Sequence, residues 1–162
     1  MARATDSSQR SKVVVMLFLV LATLASGLFA GAAVYINLVE HPARLSCGAD
    51  LALKEFRPSY RRATIMQASL ALVGAISGVV AGWLQRDVRI LLAAFLLGSV
   101  VPFTLVVILP TNRRLLDPAL DSRLVDAAVL LRRWAALHAV RSLLASVAFV
   151  IYLLRVAHGG FR

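Results

Sequence analysis

Three side chains with chemical potential share one helical face near the carboxyl end of the chain. At about 100° per residue, Trp134, His138 and Arg141 point into a narrow sector of an α-helix, with Arg141 roughly 10 Å along the axis from Trp134. They open a long apolar run of the kind that crosses a membrane. Burying the arginine there costs roughly 2.5–3.5 kcal/mol, and ionisable groups at such depth usually face the bundle interior and mark function. The pattern therefore predicts a polar pocket.

Further polar groups stand where the other apolar runs would end on the same side of a membrane. They offer amide, hydroxyl, carboxylate and cationic groups, which suit the binding of a small molecule with polar atoms. We predict that they gather with Trp134 in one pocket, roofed by the loops, and that Arg141 contacts Asn112, Asn37 or Glu40 there. These residues are Asn37, Glu40 and His41 after the first run, Tyr60, Arg61 and Gln67 around the start of the second, and Thr111 and Asn112 after the third.

Two other interpretations of these residues stay open. Arg141 could reach back to the lipid head groups, with Trp134 as an ordinary interface residue. Alternatively, His41 and His138 could ligate a haem from facing helix ends. Neither histidine has a second one at ligand spacing, so a metal or haem site is the weaker hypothesis.

The composition is that of a membrane protein. The chain has 162 residues, of which 60% are hydrophobic, and its mean hydropathy is +0.81. Ordinary soluble domains are about 45–50% apolar. The net charge of +10 is better explained by arginines that flank spans and face anionic head groups than by nucleic-acid binding. The single cysteine, Cys47, excludes an internal disulfide framework.

Four apolar stretches are long enough to cross a bilayer, at about 13–36, 64–84, 90–109 and 134–154. We therefore predict an all-α fold, an integral membrane four-helix bundle that forms one domain over residues 1–162. An even number of spans puts both termini on one side (the terminus side) and the connections 37–63 and 110–133 on the other (the loop side). The short stretch QRDVR, at residues 85–89, predicts a tight turn between the second and third spans on the terminus side. The basic residues before the first span favour cytoplasmic termini in a cell membrane, although the loop side holds more arginines.

Both loop-side connections have amphipathic spacing. Residues 49–62 are one candidate helix. Residues 118–133 are another, in which apolar side chains recur at helical spacing and are expected to be buried, at Leu120, Leu124, Ala127 and Leu131. Asp117 and Pro118 suit the N-cap and first position of the second helix. We expect short helices there that lie near the membrane interface and cap the bundle.

Glycines and a proline shape the spans. Gly74, Gly78 and Gly82 repeat every four residues, as do Gly27 and Gly31, which allows helices to approach closely. Packing within the bundle is the ordinary explanation, and a homo-oligomer through these faces is a further expectation. Pro102 removes one backbone hydrogen bond from the third span and is expected to bend it.

Two motifs resemble those of a known family. The stretch ILPTN ends the third span at residues 108–112, and RWxxLHxxR opens the fourth at residues 133–141. In this order and at these span ends, they resemble the anthrone-oxygenase-like family of small membrane proteins. The resemblance extends over nearly the whole chain, and it implies a four-helix membrane fold more firmly than a reaction.

The resemblance also implies a chemistry. Characterised members oxidise a fused-ring anthrone to an anthraquinone with O₂ as co-substrate and with no established metal or flavin. Carried onto this chain, His138 would remove a proton from the acidic CH₂ and Arg141 would stabilise the resulting oxyanion. Trp134 would stack on the flat ring, and Thr111 and Asn112 would bind its oxygens. The competing prediction is a non-catalytic membrane protein that binds a hydrophobic small molecule in the same pocket.

Overall fold

The computed structural model describes residues 2–120 and 125–158, and every described segment longer than a turn is helical. Four helices in it are long and apolar enough to cross a membrane, so the expected all-α membrane bundle is confirmed. Two short π-helical turns interrupt the helices. In chain order the elements are α1 (Ala2–Tyr35), the first π turn (Ile36–Glu40), α2 (His41–Ser46), α3 (Ala49–Gln85), α4 (Val88–Phe103), the second π turn (Thr104–Ile108), α5 (Leu109–Leu116) and α6 (Val125–Ala157).

The four long helices surround one core in the order α1, α3, α4 and α6. Helix α1 packs on α3 and α6, and α4 packs on the same two helices from the opposite corner. Side chains of different sizes fill the centre, from the small Ala22 and Ala94 to the large Leu97, Phe29 and Tyr152. Large apolar side chains cover the outside, as expected where the surrounding medium is lipid.

A tight turn joins α3 to α4 on the terminus side, as the QRDVR stretch predicts. Arg86 adopts a left-handed conformation with φ of 52°, and the Asp87 side chain accepts a hydrogen bond from the Arg89 amide at 2.9 Å. Arg155 near the end of α6 pairs with Asp87 at 2.5 Å. This ion pair places the end of the last span beside the α3–α4 turn, on the same side of the bundle.

Most of the described loop-side residues are helical, and their helices continue the spans instead of being separate from them. Residues 49–62 form the first part of α3, which continues without a break into the second span. The expected helix start at Asp117 is wrong, because Asp117 instead caps a turn by accepting from the Ala119 amide at 2.9 Å. Leu124 lies outside the described residues, and Ala127 and Leu131 are buried in α6 as predicted.

Each π turn comes just before a proline. Pro42 and Pro110 occupy early positions of α2 and α5. A proline lacks the N–H that would bond four residues back, and its ring presses on that carbonyl, so a wider turn relieves both problems. The amide of His41 accordingly bonds the carbonyl of Ile36, and that of Leu109 bonds the carbonyl of Thr104. The first π turn carries Asn37 and Glu40 into the site. Pro102 lies inside α4, two residues before the second π turn.

Candidate functional site

The predicted face of α6 is buried at the loop-side end of the bundle. Trp134, His138 and Arg141 are 5%, 1% and 9% exposed, respectively. Ala145 and Tyr152 continue the same stripe and are fully buried. Arg141 therefore lies inside the bundle and not among lipid head groups, which removes the alternative in which it reaches back to the interface.

An amide from the first π turn holds His138 in one orientation. The Nδ2 of Asn37 donates to the carbonyl of Ala135 at 3.0 Å, which leaves Oδ1 facing α6. Ser142 Oγ donates to this oxygen at 2.7 Å, and His138 Nδ1 lies 2.6 Å from it. Because an amide oxygen only accepts, Nδ1 must carry the hydrogen. In the neutral ring the lone pair is then on Nε2, to which none of the described residues bonds.

Arg141 meets α3 instead of the partners that the sequence favoured. Its guanidinium donates to Gln67 Oε1 at 2.8 Å and lies over the Phe29 ring at 5.5 Å from the centroid. The expectation of Asn112, Asn37 or Glu40 as partners is wrong. Each of those groups is engaged elsewhere, because Asn37 bonds His138, while Glu40 and Asn112 bond Arg44 and Tyr60.

Trp134 is the centre of an aromatic cluster. Its ring is stacked on His138 with centroids 4.7 Å apart, and it meets His41 at 5.1 Å in a tilted arrangement. Phe56 approaches edge-on at 5.1 Å. These contacts occupy much of the indole ring with neighbouring side chains. What Trp134 leaves available is its buried Nε1–H, which has no partner among the described residues.

The remaining predicted residues divide into a supporting group and one outlier. Asn112 Nδ2 donates to the Tyr60 hydroxyl at 2.9 Å, and Thr111 beside it is buried. His41 contacts the Leu131 carbonyl through Nε2 at 3.1 Å, so its hydrogen is on that nitrogen. Arg61, in contrast, is exposed on α3 and does not line the small cavity that these groups surround.

One buried cation was missed by the sequence interpretation. Arg44 on α2 is 6% exposed and forms ion pairs with Glu40 and Glu55. It also donates to Ser59 Oγ at 3.3 Å and lies 5.7 Å from the Phe56 centroid. The available signal was its position four residues after Glu40, a spacing that pairs opposite charges on a helix.

The cavity at the centre of these groups is small. Its volume is about 30 Å³, which is room for about one or two water molecules. Of the residues predicted for the pocket it is lined by Glu40, Tyr60, Gln67, Trp134, His138 and Arg141, and Arg44 joins them. Asn37, His41 and Asn112 stand behind this lining through their contacts with His138, Trp134 and Tyr60.

The lining is rich in hydrogen-bond donors without partners. Gln67 Nε2, Trp134 Nε1 and Arg141 Nε are buried and bond to nothing within residues 2–120 and 125–158. Buried donors are normally satisfied, and exceptions call for an explanation such as a catalytic role or a molecule that binds there. Three donors around one cavity favour an occupant with an electron-rich oxygen.

The described residues include no metal-binding cluster of three or more histidine, cysteine, aspartate or glutamate residues. Both histidines that could serve a haem contact Trp134, and each has one ring nitrogen engaged by an oxygen of the protein. The donors gathered here instead suit an organic oxyanion.

A family model described as anthrone oxygenase matches residues 56–151, which is more than half of the chain. The chain belongs to the anthrone oxygenase family. The match is shorter than the extent expected from the two motifs, because it begins inside α3 and leaves out α1. Comparisons with curated proteins and with solved structures gave no match.

The family match divides the site. Gln67, Asn112, Trp134, His138 and Arg141 all lie within the matched residues. The groups that orient or seal them from the first π turn and α2, namely Asn37, Glu40, His41 and Arg44, lie before it. The part of the site that belongs to the anthrone oxygenase match therefore contains the candidate base and the donors.

Proposed function

We propose that this chain is a membrane oxygenase that converts a flat, fused-ring substrate of the anthrone type to the corresponding quinone with O₂. The observation that carries the proposal is the Asn37–His138 contact at 2.6 Å, which leaves the Nε2 lone pair on a histidine that lines a donor-rich cavity. The name of the matching family supports the substrate class. The proposal requires no metal or flavin.

The first step is removal of a proton. A CH₂ group between two aromatic rings and opposite a ring ketone is acidic, because its carbanion is an aromatic phenolate. His138 Nε2 would take this proton as a general base, a role for which imidazole is well suited near neutral pH. Asn37 would stabilise the imidazolium that forms by accepting from Nδ1.

The second step is stabilisation of the negative oxygen. Charge moves from the carbon to the ketone oxygen when the proton leaves. The donors of Arg141, Trp134 and Gln67 that lack partners within the described residues would receive this oxyanion, and preorganised donors act strongly where bulk water is excluded. The oxyanion would satisfy polar groups that form no hydrogen bond within the described chain.

The remaining steps consume O₂. The electron-rich phenolate gives one electron to O₂, and the resulting carbon radical and superoxide combine into a hydroperoxide at the former CH₂ carbon. The imidazolium of His138 returns its proton to the peroxide. Loss of the second C–H proton and cleavage of the O–O bond then give the new ketone and one molecule of water. All four electrons that reduce O₂ come from the substrate, so no further reductant is needed.

A matched pair of histidine variants tests the proposal. Purified protein in detergent, treated with a chelator, should consume O₂ and form anthraquinone from anthrone faster than the solution without protein. His138→Ala should lower turnover by about 10²–10⁴-fold, the range for general-base catalysis, with little change in anthraquinone binding. His158→Ala, an exposed histidine at the end of α6, should behave as the wild type.

Two outcomes would replace the proposal. Binding of anthraquinone without any O₂ uptake would favour the non-catalytic ligand-binding protein. A Soret band in the absorption spectrum of the active protein would favour a haem protein.

We also propose a location in the cell membrane with cytoplasmic termini. Cys47, the single cysteine, is exposed on the loop side, so it can report the orientation without mutation. A membrane-impermeant maleimide should label it in intact cells. In the variant Cys47→Ser with His158→Cys, labelling should require permeabilised cells. The reverse pattern would place the termini outside.

A further inference from the structure

A groove on the outside of the bundle lies against the internal cavity. It has a volume of about 490 Å³ and lies between the end of α1 and the first half of α3. The groove and the cavity share four lining residues, Ile36, Glu40, Ser59 and Ala63. These side chains therefore form a wall between the outer groove and the space beside His138.

The two spaces have complementary sizes. The inner cavity of about 30 Å³ cannot hold a fused-ring molecule, whereas the groove is within the roughly 300–1,000 Å³ that is typical of small-molecule sites. Tyr35 and Met66 give the groove large, half-exposed apolar surfaces. The inner cavity supplies donors and the groove supplies room for rings.

Arg44 binds residues on both sides of the wall between the groove and the cavity. Its guanidinium pairs with Glu40 of the first π turn and with Glu55 of α3, and it donates to Ser59, also of α3, at 3.3 Å. It thus ties together the two elements that border the groove. Arg44 also lines the inner cavity and, with Glu40 and Glu55, a second outer groove of about 670 Å³. Two of the four wall residues, Glu40 and Ser59, are thus held by Arg44.

We infer that the groove is the binding and entry site through which a flat, apolar ring ketone reaches His138 sideways from the bilayer, with Arg44 holding the wall closed before the substrate arrives. The inference rests on the proposed function, because it takes the proposed substrate class as the occupant. The rings lie in the groove between Tyr35 and Met66. When the wall at Ala63 opens, the ring system moves inward until its central ring, which carries the ketone oxygen and the reacting carbon on opposite edges, reaches the donors and His138.

A pair of tryptophan variants tests the route. Ala63 lines both spaces, so Ala63→Trp should plug the wall, whereas Ile65, two residues further along α3 and 73% exposed, lines neither. Anthraquinone, the stable product, serves as the probe in lipid nanodiscs, with empty nanodiscs as the partition control. Ala63→Trp should weaken its binding by about tenfold or more, and Ile65→Trp should change it by less than about twofold.

A second measurement addresses Arg44. Arg44→Lys keeps the positive charge but loses the planar group that contacts both helices at once. We expect the association rate of anthraquinone, measured by stopped-flow, to rise severalfold while the equilibrium constant changes less. An unchanged association rate would remove the closing role. If this variant does not fold, the comparison of Ala63→Trp with Ile65→Trp decides by itself.

The outcomes separate the route from the reaction. Equal anthraquinone binding and equal O₂ uptake in Ala63→Trp and the wild type would overturn the groove while leaving the oxygenase intact. Weakened binding in Ala63→Trp, without O₂ uptake in any form of the protein, would keep the groove and remove the oxygenase. If lipid acyl chains alone fill the groove, the plug should leave anthraquinone binding unchanged, which also overturns the inference.

Discussion

The terminus-side half of the bundle is packed against glycine, whereas the loop-side half keeps buried polar atoms without partners. A Cβ at Gly78 would overlap the Tyr152 hydroxyl oxygen, and one at Gly74 would lie 2.6 Å from Leu97. On the loop side, His41, Gln67, Asn112, Trp134 and Arg141 each have a buried polar atom that is not hydrogen-bonded within the described chain. On the terminus side this applies to Arg155 Nε, whose guanidinium is nevertheless paired with Asp87.

This difference suggests that the terminus-side half mainly provides stability and that the loop-side half mainly provides binding. Close helix packing gains many van der Waals contacts and leaves no room for a ligand. Unsatisfied donors cost free energy in the unliganded protein and are repaired by a molecule that accepts from them. The terminus-side half therefore fixes the relative positions of the helices, and the loop-side half holds polar groups that a ligand could bind.

The largest effect is expected when both partners of the Arg141–Gln67 contact in the loop-side half are replaced together. In the double variant Arg141→Met with Gln67→Leu, both partners become apolar and no buried group is stranded. Turnover should fall by about 10²–10³-fold because the oxyanion loses its charged donor. The midpoint of thermal unfolding should stay the same or rise, as often happens when buried charge is replaced by apolar packing. A large fall in that midpoint would show that Arg141 serves the fold.

A smaller loss is expected when the partner that orients His138 is removed. Asn37→Leu should lower kcat by about 10–100-fold, with a lesser change in KM. This is the range known for residues that orient the histidine ligands of metal ions. Nitrogen NMR of labelled histidine gives a readout without activity, because the tautomer with Nδ1–H should lose its dominance in the variant. Asn37→Asp keeps an acceptor for Nδ1 and should retain that tautomer. If the tautomer is unaffected by Asn37→Leu, the orienting role is wrong.

The packed half should respond through stability and not through catalysis. Gly78→Ala should destabilise the protein by about 1–3 kcal/mol through overpacking against Tyr152. Gly31→Ala is the control, because a Cβ there meets nothing within 4 Å. Adding Tyr152→Phe to Gly78→Ala should restore part of the loss by removing the nearest atom. Equal unfolding midpoints for the two alanine variants would contradict the close packing.

The smallest effect is expected at the indole nitrogen. Trp134→Phe keeps a ring beside His41 and His138 but removes the Nε1–H. One lost hydrogen bond corresponds to about 1 kcal/mol, so kcat/KM should fall about fivefold while the unfolding midpoint barely changes. A loss as large as that of the Arg141 double variant would show that the indole ring itself positions His138.

Much of the bundle could be predicted from hydrophobic runs and helical spacing. The four spans, the turn around Arg86 and the shared burial of Trp134, His138 and Arg141 follow from periodicities that depend on one helix at a time. The tight contacts of Gly74 and Gly78 follow from their spacing as well. These glycines pack against side chains of the same chain, and a homo-oligomer stays a prediction, with exposed Gly31 the position still open.

The partners within the site could not be predicted in the same way. Whether Arg141 meets Gln67 or Asn112 depends on the rotation of each helix about its axis, and a single π turn changes that rotation. The spacing between Glu40 and Arg44 indicates an ion pair, but it does not indicate that Arg44 is buried. Its contacts with Glu55 and Ser59 depend on how the following helix packs against it. The predicted helix start at Asp117 is wrong because an aspartate followed by a proline is typical both of a helix start and of a turn, and here it forms a turn.

The π turn at Ile36–Glu40 has a consequence for how this chain can change by mutation. A π turn holds one residue more than the α-helical turn it replaces, so a single deletion there would shift the phase of α1 by about 100° relative to α2. The extra residue of the π turn thus determines how the outward face of α1 is rotated relative to the inward face of α2. A frame-preserving gain or loss of one codon at this point would rotate Asn37 away from His138 while leaving the span itself intact.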